Sequence, residues 1–150
     1  MSPKKIVLAS LFAATFGAGF VAGNLNNAQQ AWPTAQAAAN GRVFELRTYT
    51  TFDGKLPDLL NRFRDHTTKY FERHGMTNVG YWVPEDAPLS QNTLVYMLAY
   101  PSREAAKKAW DDFRKDPDWL KARDASEANG KIVEKVVSVF VEPTAFSPIK

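Results

Sequence analysis

The chain contains no cysteine. It can form no disulfide, so its passage through an oxidising compartment would not depend on oxidation. No arginine precedes Arg42, which argues against a mitochondrial transit peptide, since those are arginine-rich and amphipathic. Only two histidines occur, His66 and His74. No CxxCH, HExxH or carboxylate–histidine spacing accompanies them, so the pattern supports neither a metal nor a bound cofactor. The net charge is +3 and no Lys/Arg cluster appears, which gives no electrostatic case for nucleic acid. No internal repeat is visible.

What the chain does have is one domain's worth of sequence with a short piece in front. It has 150 residues, 45% of them hydrophobic and 23% charged, as in an ordinary globular domain. Lys4 and Lys5 precede a charge-free run, Ile6 to Gly23, and residues 1–23 fit a bacterial secretory signal with Ala35-Gln36-Ala37 as a small-residue cleavage site. The run is about 18 residues, the lower margin for crossing a bilayer, so an uncleaved membrane anchor is the second reading. Loss of Lys4 and Lys5 with a cleaved signal would leave a charge of about +1. Either way the expected location is exported, periplasmic or secreted, with contact to a membrane only through an uncleaved anchor. Residues 24–41, rich in Ala, Gln and Asn, read as a flexible tether to a domain over 42–150.

Within the domain, Val43 to Thr50 alternates as a strand. Phe44, Leu46 and Thr48 share one face, assigned to helix packing; Glu45, Arg47 and Tyr49 share the other. Asp53-Gly54 is a turn. A helix follows from about Lys55 to His74, with Leu56, Leu59, Leu60, Phe63, Thr67, Tyr70 and Phe71 on one stripe and Gly75 at its C′ position. Met76 to Val83 and Thr93 to Tyr100 read as strands. Ser102 is placed to cap a helix over Arg103 to Lys115. Asp116-Pro117 restarts a short helix, and Lys131 to Val141 reads as a last strand.

The order β-α-β-β-α-β predicts an α+β, ferredoxin-like fold, with two helices on one face of a four-stranded antiparallel sheet. The last two strands are apolar on both faces, which a sheet wetted on one side should not be. A second copy of the chain is the expected cover, giving a homodimer.

The stretches FELRTYT, RFRDHT, FERHGM, VGYW, LVYMLAY, FRKDPDW and PTAFSP, with the Gly54-Lys55 and Ser126-Glu127 pairs, resemble the NIPSNAP family over Val43 to Ile149. The resemblance implies a dimeric α+β barrel. It carries no defined molecular activity. Cofactor-free monooxygenases and haem enzymes share that architecture, but architecture alone does not confer their chemistry.

The two histidines lie about 12 Å apart along a helix and point about 80° apart. They cannot both reach one metal at about 2.0–2.1 Å. His74, in the last turn, reads as a partner for free helix carbonyls. His66, at the stripe's edge, is either a hydrogen-bonded boundary residue or a proton carrier or haem ligand. Glu45, Arg47 and Tyr49 are expected to face the barrel interior. There they form either a structural Glu–Arg pair or a pocket that binds a small anionic or oxygen-rich ligand. Trp82 and Trp119 are available as its apolar walls, with plain core packing as the alternative. The expected function is therefore a small-ligand or partner-binding protein without a cofactor; the alternative is a cofactor-free or haem-dependent oxidoreductase using His66 and Arg47.

Overall fold

The computed structural model describes residues 42–150, so the expected export segment and tether lie outside the described residues. β1 (Val43–Thr51), β2 (Thr77–Trp82), β3 (Thr93–Tyr100) and β4 (Val133–Val141) form one antiparallel sheet in the order β2-β3-β1-β4. Between them run α1 (Leu56–Arg62), α2 (Thr68–Arg73), α3 (Arg103–Phe113) and α4 (Pro117–Ser126). This is the expected ferredoxin-like arrangement. No helix among the described residues is long and apolar enough to cross a membrane.

Local chemistry sets the helix ends. Ser102 accepts a hydrogen bond from the Ala105 N–H at 3.1 Å and starts α3 as a helix cap should. α2 closes at Gly75, whose φ of 78° is open to glycine but strained for other residues. The Met76 N–H then bonds the Phe71 carbonyl and the Gly75 N–H bonds that of Glu72. That is the paired closure of a Schellman motif.

The expected single helix from Lys55 to His74 is interrupted. Phe63–Thr67 forms a π-helical turn between α1 and α2. The Thr67 and Thr68 hydroxyls donate to the carbonyls of Arg62 and Phe63, both at 3.2 Å, and so satisfy acceptors that the wider turn would leave short. The turn also keeps Leu59, Phe63, Thr67 and Phe71 buried together. Steps of four residues drift by about 40° each on a regular helix, and the extra residue takes up that drift. His66 is turned outward and exposed, not held at the edge of the apolar stripe.

The faces of β1 are the reverse of those expected. Opposite residues in an antiparallel pair share a face, and Glu45, Arg47 and Tyr49 oppose Leu98, Tyr96 and Leu94, all buried under the helices. Glu45 bonds the Trp110 indole on α3, and the Tyr49 ring meets Phe63 edge-on at 5.9 Å. The polar set therefore packs against the helices. Leu46 and Thr48 join Met97, Val95, Val139 and Val137 on the outer face of the sheet. Phe63, Phe71, Tyr96, Trp110 and Phe113 fill the space between sheet and helices.

Candidate functional site

Burying a carboxylate requires that its oxygens be answered by donors. Glu45, 1% exposed, receives four. Tyr100 donates at 2.6 Å, Trp110 Nε1 at 2.7 Å, and Ser138 and Arg47 at 2.5 Å each. Burial works against the charge of Glu45, but the bonds from Ser138, Tyr100 and Trp110 and the charge of Arg47 outweigh it and hold its pKa below the ordinary 4.5. With its oxygens occupied and its proton affinity lowered, Glu45 is an anchor and a poor general base.

That lowered pKa has a sign. A carboxyl whose pKa is lower folded than unfolded adds stability above its unfolded value and loses it as pH falls through the folded one. Thermal melts from pH 7 to pH 3 should therefore show stability declining below about pH 4.5. Glu45→Gln should flatten that decline, and an unchanged slope in the variant would contradict the assignment.

Arg47 is held by Glu45 on one side. Its Nη2 reaches the Tyr49 hydroxyl at 3.5 Å, and its guanidinium lies 4.1 Å from the centre of the Trp110 ring. Burial opposes its charge, but the oxygens of Tyr96, Tyr49 and Glu45 more than offset this and raise its pKa. Its Nε is buried without a hydrogen-bond partner, and so is the neighbouring Tyr96 hydroxyl. A buried donor left without an acceptor costs about 1–3 kcal/mol.

Arg47, Glu45, Trp110 and Phe140 floor a cleft of about 540 Å³ between α3 and the β1–β4 side of the sheet. Arg103, Lys107 and Arg114 stand at its rim with Glu104. The spacing is helical, so one stripe along α3 and its C-terminal cap residue, Arg114, supplies Trp110 and all three rim cations. Asp111 pairs with Lys107 at 2.7 Å and Arg114 at 2.5 Å, which leaves the rim with one net positive charge after Glu104 and Asp111 are set against its three cations.

The other expected site residues lie elsewhere. Trp119 is buried and stacks on Phe113 at 4.6 Å, as core. Trp82 is 52% exposed on the outer face, its ring so close over Gly80 that a Cβ there would stand 2.6 Å from it. Neither walls the cleft; Trp110 does. His74 bonds Asp116 at 2.7 Å, and Asp116 in turn caps α4 through the N–H groups of Asp118 and Trp119. His66 lines a second hollow, beside Asp58, Asn61, Asp65, Asp118 and Lys121. Tyr70, Ala122 and Ala125 share those walls, so carboxylates and a lysine are mixed with apolar side chains around His66. Among the described residues, no three His, Asp or Glu side chains gather to hold a metal.

The architecture and this helix-side cleft define a single ferredoxin-like α+β domain. Residues 44–148 match the NIPSNAP family model, and the chain belongs to that family. It is similar to a NIPSNAP family protein of unknown function from Agrobacterium tumefaciens, at 24% identity and a TM-score of 0.64, covering 74% of this chain and 96% of that one. An uncharacterised NIPSNAP domain protein from Burkholderia xenovorans shares 24% identity at a TM-score of 0.59, over 71% and 98% of the two chains. A Streptomyces coelicolor monooxygenase in complex with nanaomycin D shares 15% identity at a TM-score of 0.52, over 76% and 99%, a likeness of fold. No curated protein matches the chain.

Proposed function

We propose that this chain is a ligand-binding member of the NIPSNAP family that takes a small carboxylate or similar oxygen-rich anion in the cleft between α3 and β4. The observation that carries the reading is Arg47: a guanidinium on the cleft floor, its side chain only 14% exposed, with Nε lacking an acceptor. A ligand oxygen would supply one, in a setting where charge-assisted bonds are strong. The cationic rim would guide an anion inward.

Turnover has no comparable support. Glu45 is saturated with donors, and His66 lies in a different hollow from Arg47. The oxidoreductase alternative would have joined those two side chains in one site.

Calorimetric titration of the full chain with acetate, succinate and benzoate tests the reading. At least one should bind, and its affinity should fall as salt screens the rim. The double variant Arg103→Ala/Lys107→Ala removes two rim cations, Arg103 together with its 3.5 Å contact over the Phe140 ring, and should weaken binding by about three- to tenfold. Binding that ignores both salt and the variant, or no binding at all, would remove the cleft as the site.

A further inference from the structure

The hollow beside His66 is separate from the cleft floored by Arg47. It lies between the α1–α2 helical segment and α4, with a volume of about 690 Å³. Asp58, Asn61, Arg62 and Asp65 come from one side, at the spacing of one helix face. Asp118, Lys121, Ala122, Ala125 and Ser126 come from the other, again along one face. The two alanines are too short to close the gap between the helices, so an open groove remains.

Arg62 sits in this groove with its side chain only 4% exposed. Its Nη1 donates to Glu127 at 2.9 Å and to Ser126 at 3.2 Å. A pair that only tied α1 to α4 would be expected to use the guanidinium fully. Here Nε is buried without a partner, and Nη2 makes no hydrogen bond to the described residues. Those two donors form one edge of the guanidinium fork, the edge that grips a carboxylate with two parallel bonds. A bare anion is nevertheless a poor match. Asp58, Asp65 and Asp118 stand around the groove, each paired with an outward cation, Lys55 at 3.3 Å, Arg64 at 2.8 Å and Arg73 at 3.0 Å. Each keeps lone pairs for a further donor.

We propose that this groove binds a small zwitterion, an α-amino acid or an equivalent amino-carboxylate. Its carboxylate takes the Nε–Nη2 edge of Arg62, with Lys121 nearby, and its ammonium group pairs with one of the aspartates that line the groove, Asp58, Asp65 or Asp118. A simple anion would meet the carboxylates of the groove, and a simple cation would leave the free donors of Arg62, whose Nη1 alone is spent on Glu127 and Ser126, without an acceptor. Only a ligand with both charges answers both sets of groups.

The test is calorimetric titration of the full chain with glycine, L-alanine, L-serine and L-glutamate, beside acetate and ethylamine. Each is run on the unaltered chain and on Ala122→Leu/Ala125→Leu. Leucine keeps the helix and fills the groove while leaving Arg62, Ser126 and Glu127 unaltered in sequence. An amino acid should bind the unaltered chain and bind the filled variant at least about tenfold more weakly, the scale of one lost charge-assisted bond. Acetate held at Arg47 would bind both chains alike and so cancels, which separates failure here from failure of the cleft between α3 and β4. Arg62→Lys should weaken the amino acid to a similar degree, since lysine keeps the charge but lacks the two-donor edge. If that variant does not fold, the alanine pair decides. The proposal is overturned if no amino acid binds, if the filled groove binds one equally well, or if ethylamine or acetate shows the same dependence on the groove as the amino acids.

Discussion

Glu45→Leu should be the most damaging single substitution in the domain, lowering stability by about 3–5 kcal/mol, the cost of stranding a buried charge. The loss goes beyond one ion pair. Four donors, from Arg47, Tyr100, Trp110 and Ser138, converge on this carboxylate, and the variant leaves them without it. Arg47→Leu should cost less. Glu45 would keep three of its four bonds, while Arg47 without Glu45 keeps only a long hydrogen bond to Tyr49 and its position over the Trp110 ring. The double variant Glu45→Leu/Arg47→Leu should be more stable than Glu45→Leu alone, because it removes the unpaired guanidinium together with its partner. Thermal melts of the three variants decide the matter. A double variant no better than Glu45→Leu would show that the pair is not coupled, and that the carboxylate matters only through Tyr100, Trp110 and Ser138.

This network also marks where the sequence stopped being readable. The order of elements, the Ser102 cap and the Gly75 closure follow from residues within a few positions of one another. The alternation in β1 separates two sets of side chains correctly, but alternation alone does not say which set meets the helices. The more apolar set, Phe44, Leu46 and Thr48, looked like the helix-packed one. The helix side is instead lined by large rings with polar tips, Tyr49, Tyr96, Tyr100 and Trp110, and such tips seek an acceptor when buried. Glu45 is that acceptor for two of them. Its partners stand 55, 65 and 93 residues away, beyond the reach of any local pattern. The same holds for Ser126-Glu127, two residues with no evident role in the sequence until the fold sets them against Arg62. The π-helical turn was hidden for a different reason: a fixed 100° step treats Phe63 to Phe71 as a regular helix, and the register shift is visible only in the backbone.

If a second copy covers the outer face of the sheet, Val139→Glu should leave a monomer with little change in the fold of each chain. We propose a second copy as the cover for the outer face of the sheet. Val137 and Val139 on β4 are both substantially exposed there, and they share that face with Leu46, Val95 and Met97. Contiguous apolar surface of this kind marks an interface, and two equivalent faces can close on each other around a twofold axis. A glutamate at position 139 would put one charge per copy into the contact, an expensive place for an unpaired group. Sedimentation at micromolar concentration should give about twice the chain mass for the unaltered protein and the single mass for Val139→Glu, with matching circular dichroism. A monomer in both cases would leave this face without a second copy to cover it.

The strand order carries a consequence for how the chain is made. β1 is synthesised first among the strands yet lies inside the sheet, between β3 and β4. While the chain is still emerging, one side of β1 can pair as soon as residues 93–100 are available, but the other must wait for residues 133–141. Until then its free N–H and C=O groups form an open edge, and an open edge is a template for pairing with another chain. The last of the four strands to emerge is thus the one that shields the first, and any delay in its arrival leaves the sheet open at its own centre.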